Sequence, residues 1–365
     1  MMLRRRLVLG PAACGATAPT LTACLSGRSH EEAARLQRRP VDVASSDQEL
    51  LLRELVRYAT LAPSSHNTQC WKFRVQERTI TIEADLARRC PVVDPGDHHV
   101  FVSLGCATEN LAQAALANGL RAHARFDPTD PGAVVVSLEA TQALASPLFR
   151  VISERQCTRS AYDGMPLSPE ELRLLEQAGT GNGVRVILLT GRPAREKVLE
   201  YVVSGSTAQT NDPAFVAELK AWIRFSAGEA ARTGDGLYSG ATGNPALPRW
   251  LGSRMMGMFF TAKSENERYA KQIRNSAGIA VFASDTDDKA HWVEAGRCYE
   301  RFALQATALG IRNAFLNPPV EVGSIRPQFA SALGLGTQRP DLVVRFGRGP
   351  TMPMSLRRPV QAVLV

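Results

Sequence analysis

The stretch "LAPSSHNTQCW", residues Leu61 to Trp71, is a polar segment between a helical pattern and a strand-like pattern. The helix before it is expected to stop ahead of Pro63, because a residue that precedes proline avoids the α region. Two interpretations of the polar side chains are open at this point. They either cap and turn the chain, as Ser and Asn commonly do, or they form half of a binding site whose other half lies elsewhere.

The segments on both sides of this loop predict a helix followed by a hairpin. Apolar residues recur at helical spacing from Leu51 to Ala59, after a capping box formed by Ser46 and Glu49. The alternating stretches "WKFRV" and "TITIE" predict two strands, joined by the turn "QER". Residues 100–118 predict a second helix, and "AVVVSLEA" predicts a further strand.

A similar order of elements returns in the second half of the chain. Ser168 caps a helix that has Pro169 at its first position, and the strand "VRVILL" follows. Residues 226–275 are rich in Gly and Met and are expected to be irregular. The strand "AGIAVFAS", a long helix over 289–309 and the strands "IRNAFL" and "LVVRFG" complete the chain. The predicted class is α+β, a mixed sheet with helices packed on it.

The composition is that of a soluble globular protein. The chain has 365 residues, of which 44% are hydrophobic and 21% charged, enough for one large or two ordinary domains. The body of the chain is expected to contain no apolar run long enough to cross a bilayer. The net charge of +8 comes without basic runs in the body, which argues against nucleic acid as a partner.

The N-terminus has the features of an export signal. Arg4, Arg5 and Arg6 precede a short apolar run, as in a twin-arginine signal, and "LTAC" resembles a bacterial lipobox that ends at Cys24. Residues 1–23 are therefore expected to be removed and Cys24 to carry lipid on the outer or periplasmic side of the membrane, followed by a linker over 24–46. The alternative is a start site placed too early, which would leave a cytoplasmic protein.

The cysteines of the body indicate neither a disulfide framework nor a metal site. They are odd in number, widely spaced and form no CxxC pair. They are Cys70, Cys90, Cys106, Cys157 and Cys298.

A second polar motif is "RQCTR", residues 155–159. Its two arginines lie four residues apart in a segment too polar for a core, and such a pair suits bidentate contact with a phosphate. Arg357 and Arg358 add two further cations near the C-terminus. Taken alone, each pair is more often a solvated basic patch.

Taken together, these motifs resemble the nitroreductase family of flavin-dependent oxidoreductases, and most of all its single-chain Acg-type branch. The loop is similar to the family's Ala-Pro-Ser-x-x-Asn-x-Gln-Pro-Trp sequence, and "ERQCTRSAYDGMPLSPEELRLL" to its Arg-x-Ser-x-Arg segment and first helix. The long helix, the strand and "NPPVE" after it, and the closing "FGRGPTMPMSLRRPV" also match. The resemblance covers residues 47–365.

The resemblance implies FMN, held in this family where two subunits meet. One subunit supplies the arginines and the other supplies the loop. Here the two motifs lie in different halves of one chain, residues 47–150 and 151–365, so we expect a fused pseudo-dimer that needs no partner and acts as a monomer. Each motif occurs once, which predicts one FMN per chain. Residues 204–275 are expected to form a lid insertion.

The resemblance also implies roles for individual residues. Arg155 and Arg159 would hold the phosphate end of FMN, aided by Arg357 or Arg358, with Cys157 standing where the family usually has serine. Cys70 replaces the proline that usually precedes the tryptophan. The remaining implied cofactor contacts are Pro63, Ser64, Ser65, Asn67 and Gln69 on the loop, with Pro319, Val320 and Glu321 at the redox face. The implied pocket and lid residues are His66, Met255, Met256 and Phe259.

The expected function follows from the implied cofactor. FMN would carry the chemistry, so no catalytic side chain and no metal are expected. The reaction would pass a hydride from a reduced donor, NAD(P)H in the family, through flavin N5 to a small electrophile such as a nitroaromatic or a quinone. Two alternatives remain open: a flavin-sequestering protein without turnover, and an envelope solute-binding lipoprotein without a cofactor.

Overall fold

The computed structural model describes residues 29–40 and 47–365. The export signal, Cys24 and Ser46 lie outside these ranges. The helices are α1 His30–Gln37, α2 Gln48–Thr60, α3 His98–Ala117, α4 Pro147–Arg150, α5 Pro169–Gly179, α6 Arg192–Asn211, α7 Pro213–Trp222, α8 Ala227–Thr233, α9 Arg249–Phe259, α10 Ala262–Arg274, α11 Lys289–Ala308, α12 Pro318–Glu321 and α13 Arg326–Ala332.

The strands form two sheets of four and one short pair, which confirms the predicted α+β class. Neighbouring strands within each four-stranded sheet are antiparallel. The strands are β1 Trp71–Gln76, β2 Thr79–Ala84, β3 Leu120–Asp127, β4 Ala133–Ala140, β5 Val184–Leu189, β6 Ile223–Arg224, β7 Leu237–Tyr238, β8 Gly278–Ser284, β9 Arg312–Phe315 and β10 Arg339–Gly347.

The two large sheets have the same plan. Their strand orders are β1-β2-β4-β3 and β5-β8-β10-β9, so in each sheet the third strand along the chain lies at an edge beside the fourth. A helix precedes the first strand of each sheet, and a 20-residue helix, α3 or α11, connects its second and third strands. The chain therefore consists of two halves of one topology, as the fused pseudo-dimer requires.

The long helices α3 and α11 join the halves. They cross where glycine from each helix meets the backbone of the other: a Cβ added at Gly105 would overlap the carbonyl oxygen of Val293, and one at Gly296 would overlap that of Val102. Each helix thus contributes one glycine and one backbone carbonyl to the crossing, as in an interface with two-fold symmetry. The residues around this crossing belong to one continuous apolar core that includes side chains of both halves.

Two further segments pair with sheet strands in the parallel sense: the C-terminal residues pair with β1 of the other half, and the arginine segment pairs with β9 of its own half. The last residues of the chain run parallel to β1, where Phe73 N–H donates to Val363 O at 2.8 Å and Val365 N–H donates to Phe73 O at 3.0 Å. The segment that carries Arg155 and Arg159 runs parallel to β9, where Thr158 N–H donates to Asn313 O at 2.8 Å. These parallel pairings add the mixed character that was predicted for the sheet.

Several details differ from the sequence-based expectations. Residues within the predicted linker form helix α1, which buries Ala33 and Ala34 against the insertion. Helix α2 is capped by Asp47, whose carboxylate accepts from two backbone N–H groups, and so it begins after Ser46. The stretch 226–275, expected to be irregular, contains α8, α9 and α10, and two of these begin at side-chain caps, Ser226 and Thr261.

The expectation that no apolar run could cross a bilayer also needs a correction. Helix α3 is long and apolar enough by length and composition alone. Of its most apolar window, 78% is buried inside the protein. Its apolar side chains are therefore explained by its position in the core between the two halves.

Candidate functional site

The candidate site is a cavity of about 250 Å³ where the two halves and the C-terminal segment meet. It brings together most of the residues that the sequence singled out, although the two motifs lie far apart in the chain. From the loop it is lined by Pro63, Ser64, Ser65, His66 and Asn67, and from the second half by Arg155, Cys157, Arg159, Glu321 and Arg357. This convergence of both halves on one cavity is the geometry expected of a composite site.

The loop that contributes to this cavity has a strained backbone. His66, Asn67 and Gln69 all have positive φ, at 48°, 55° and 55°, a region that residues other than glycine rarely occupy. The loop is closed on itself, since Gln69 N–H donates to the Ser64 hydroxyl at 2.9 Å. Strain of this kind persists only where the surroundings enforce it, and it concentrates at functional sites.

The side chains of Asn67 and Gln69 supply that enforcement. The Asn67 amide donates to Gly236 O at 2.9 Å and accepts from Arg357 at 3.0 Å. The Gln69 amide donates to Gly234 O and accepts from Arg358 N–H, both at 2.8 Å, and Gln69 is fully buried. Both amides therefore tie the loop to the insertion and to the C-terminal segment. Gln69 does not line the cavity, so its implied contact with the flavin is replaced by a positioning role.

Arg357 holds the end of helix α2 in place. Its guanidinium donates to the carbonyl oxygens of Thr60 at 2.6 Å, Leu61 at 2.9 Å and Ala62 at 3.0 Å. These carbonyls lack helical partners and carry the negative end of the helix dipole, which a cation stabilises. Burial, with the nearby Arg38 and Arg155, lowers the pKa of Arg357 well below its usual value.

Arg155 is paired with an acid and still has a free donor. Its Nε lies 2.9 Å from Glu300 Oε1, and its Nη2 donates to Leu61 O at 2.8 Å. Among the described residues its buried Nη1 has no hydrogen-bond partner. Burial raises the pKa of Glu300 to about 7, so at neutral pH this acid compensates the guanidinium only in part. Arg155 is thus a buried cation with one donor available to a ligand.

Arg38, from the end of α1, is a third arginine beside the same cavity. Its Nη1 donates to Ser153 O at 2.8 Å and to Arg155 O at 3.3 Å. Burial and the charge of Arg155 lower the pKa of Arg38 to about 9. Arg38, Arg155 and Arg357 thus face one partly protonated acid, Glu300, and this excess of positive charge favours an anion in the cavity.

Arg159 and Cys157 occupy another part of the wall. Arg159 lines this cavity and the neighbouring one described below. Within residues 29–40 and 47–365 its guanidinium makes no hydrogen bond or ion pair. The Cys157 thiol lies 3.8 Å from the hydroxyl of Tyr299, which donates to Asn313 Oδ1 at 2.9 Å. The thiol is half-buried and reaches the cavity, in agreement with its place in the motif.

Two histidines and one acid, Glu321, face the cavity. Burial, Arg159 and His99 lower the pKa of His66 to about 4, and burial lowers that of His99. Both imidazoles are therefore neutral at pH 7. Burial also raises the pKa of Glu321, whose carboxylate accepts from Gln209 Nε2 at 2.7 Å. This end of the cavity contrasts with the cationic end around Arg155.

A second cavity of about 390 Å³ adjoins the first under the insertion. The two share Arg159, Phe260, Glu265 and Arg268 in their walls. Three of the residues predicted for the pocket, Met255, Met256 and Phe259, line this second cavity and not the first. Methionine adapts its shape to varied apolar ligands, so this cavity suits an apolar molecule placed next to the first.

The predicted site residues and the residues that line the cavities do not match completely. Pro319, Val320 and Arg358 line neither cavity. The sequence reading missed Arg38, although Ser29 followed by Glu32 is an N-cap signal for the helix that carries it. It also missed His99, for which the pair of histidines after Asp97 offered a weak signal. The further lining residues that it missed include Ser103, Gln156, Gln209, Tyr269 and Asn317.

One cluster beside the cavity has the residue types of a metal site. Asp94, His98 and His99 offer ligand atoms within 4.8 Å of one another, all buried. However, Asn317 Oδ1 accepts from Val343 N–H, so its Nδ2 faces His99 Nε2 at 3.3 Å as a donor. The proton of neutral His99 then lies on Nδ1, the atom that faces Asp94. That Nδ1 lies 4.0 Å from Asp94 Oδ1 and has no hydrogen-bond partner among the described residues. Asp94 Oδ2 accepts from the backbone N–H of His99 at 2.8 Å, and His98 Nε2 lies 2.9 Å from Asp341 Oδ1.

Comparison with known proteins gives relatives along most of the chain. A protein of Mycobacterium tuberculosis named as a putative NAD(P)H nitroreductase is 24% identical over 331 residues, which cover 86% of this chain and 90% of that protein. The putative NAD(P)H nitroreductase acg of the same organism is 22% identical over 329 residues, or 86% of this chain and 95% of that one. No family model matches the chain.

Solved structures give weaker similarity. A structure from Anabaena variabilis, described as a putative nitroreductase, is 11% identical with a TM-score of 0.45, and covers 87% of this chain and 91% of that one. An FMN-bound nitroreductase from Bacteroides fragilis is 13% identical with a TM-score of 0.34, and covers 56% and 89%. On the sequence relatives, this chain is similar over most of its length to proteins named as NAD(P)H nitroreductases, acg among them, which confirms the resemblance predicted from its motifs.

Proposed function

We propose that the protein is an FMN-dependent oxidoreductase of nitroreductase type, with one cofactor site built from both halves. The observation that carries the proposal is the buried cluster of arginines at one end of a cavity shared by the halves. Within the described ranges, Arg155 there has an unpartnered Nη1, and Glu300 is the one acid paired with the cluster. A phosphate supplies the charge and the acceptor oxygens that this end of the cavity needs.

The residues of the cavity fit the rest of FMN as well. Ser64 and Ser65 line the same cavity as the arginines, and their hydroxyls would bond the ribityl chain. Apolar or neutral side chains, among them His66, Val102 and Leu342, also line the cavity and suit a flat ring system. When bound, FMN supplies hydride transfer through its ring. The chain itself binds the cofactor, orients it and limits the access of water.

The second cavity supports a position for the electron acceptor. Its wall of Met255, Met256 and Phe259 suits an apolar acceptor such as a nitroaromatic or a quinone. Because both cavities share Phe260 and Arg159, an acceptor there would lie against the cofactor. NAD(P)H is proposed as the donor, in line with the names of the relatives.

The test is an absorbance spectrum of the full chain, followed by NADPH under anaerobic conditions. The proposal predicts a flavin band near about 450 nm that bleaches on addition of NADPH. The double variant R155M/E300Q removes the free donor without leaving a buried charge alone, and it should lose the band. The surface variant R173M is the matched control and should keep it. A colourless wild-type protein that takes up no FMN contradicts the proposal.

Two other outcomes correspond to other functions. A protein whose flavin band is bleached neither by NADPH nor by other reductants coupled to acceptors is a flavin-sequestering protein. A colourless protein from native expression that binds another solute is the cofactor-free alternative.

We also propose export by the twin-arginine route with lipid on Cys24. Metabolic labelling with a radioactive fatty acid, compared between wild type and C24A, tests this, and equal labelling contradicts it.

A further inference from the structure

We infer that helix α1 and the residue after it form a working part of the cofactor site, with Arg38 as a third arginine for the anionic end of the ligand. This inference rests on the proposed function and deepens it. The segment lies before the region that resembles the family, and none of the motifs assigns it a role. In the structure, Arg38 lines the cavity together with Arg155 and Arg357.

The position of Arg38 is fixed by a strap formed by residues 29–38. The Gln37 amide exchanges two hydrogen bonds with the backbone of Arg357, donating to its carbonyl oxygen and accepting from its N–H, both at 2.7 Å. Ala33 and Ala34 pack against Ala230 and Ala231 of the insertion. The strap therefore clamps the C-terminal segment against the insertion, directly beside the cavity.

Contacts on Arg38 itself show where its guanidinium is aimed. It donates to Ser153 O, Arg155 O and Ser355 O, at 2.8, 3.3 and 3.5 Å. Its Nε is buried and has no hydrogen-bond partner among the described residues. Three backbone oxygens carry only partial charges, so they do not neutralise a guanidinium held next to two more arginines. An anion in the cavity would complete its coordination.

The alternative is that Arg38 is only a structural clip between the strap and residues 153–155. The two roles differ in how they respond to the phosphate of the ligand. A structural clip would affect FMN and riboflavin alike, since both need the same folded cavity. A phosphate contact would affect FMN alone, because riboflavin has the same ring and polyol without the phosphate.

The experiment compares the dissociation constants of FMN and riboflavin, measured by flavin fluorescence, for wild type, R38M and the control R35M. Arg35 lies on the same helix and is exposed. We expect R38M to weaken FMN binding by about tenfold to a hundredfold, the effect of losing one hydrogen bond to a charged group, and riboflavin binding by less than about threefold. R35M should change neither. Equal losses for both ligands in R38M, or no loss for FMN, overturn the inference.

Two additions keep the test decisive. If R38M does not fold, R38K retains the charge but not the planar fork, and should show a smaller loss that is still specific to FMN. If the wild type binds no flavin, its melting temperature is measured with and without inorganic phosphate. If phosphate raises the melting temperature of the wild type but not that of R38M, the anion site at Arg38 is supported and only the proposed cofactor is contradicted. The absence of any rise overturns both.

Discussion

Gln69 offers a sharp test, because the motif implies a cofactor contact and the structure gives it a positioning role. In Q69M, an isosteric apolar side chain replaces the buried amide. The carbonyl of Gly234 and the N–H of Arg358 then each lose a partner at 2.8 Å. A buried backbone group without a partner costs about 1–3 kcal/mol. We therefore expect the free energy of unfolding of the flavin-free protein to fall by about 2–6 kcal/mol.

The assay is urea unfolding of the flavin-free protein, followed by tryptophan fluorescence. The control is Q48M, which makes the same chemical change at an exposed glutamine and should change stability by less than about 0.5 kcal/mol. If Gln69 were a cofactor contact, Q69M would leave the stability of the flavin-free protein unchanged and weaken only FMN binding. That result would refute the reasoning from the hydrogen bonds.

Two further predictions concern pH and the junction of the halves. The pKa of His66 in the folded protein is lowered to about 4. Between pH 6.5 and pH 4, His66 therefore binds a proton in the unfolded chain but not in the folded chain, and the free energy of unfolding decreases as the pH falls. H66N, whose asparagine suits the positive φ, should lose less stability than wild type between pH 7 and pH 4, with a difference of up to about 3 kcal/mol. Free energies of unfolding measured with urea that change equally with pH in both proteins would contradict this. G105A should lower the free energy of unfolding by about 3 kcal/mol or more, because its methyl group meets the Val293 carbonyl. G96A, where a methyl meets open space, is its control, and equal stabilities would contradict the account of the junction.

The sequence predicted the elements whose ends carry local signals. Ser168, Pro169 and Glu171 predict the start of α5, and the structure shows the full capping box there. The alternating strands of the first hairpin are found at Trp71–Gln76 and Thr79–Ala84. These features depend on residues a few positions apart, so the sequence alone contains the information. No local sequence pattern indicates that the loop and the arginine segment line the same cavity. That proximity was predicted from the resemblance to the family.

The roles of individual side chains were harder to predict, because their partners are distant in the chain. Asn67 bonds residue 236 and Gln69 bonds residue 358, across 169 and 289 positions. A motif shows that an amide occurs at a position, but not which of its neighbours uses its hydrogen bonds. Arg38 was missed for a related reason: a polar segment was read as a linker, although Ser29 caps a helix there.

The central claim is that the two halves build one FMN site between them. Equilibrium dialysis of the full chain against FMN, with protein measured by amino-acid analysis, tests it most directly. The account predicts saturation at one FMN per chain, since the loop and the arginine segment each occur once and meet at one cavity. Saturation near two would mean that each half forms its own site, and a ratio near zero would mean that the cavity does not bind FMN; either result contradicts the account.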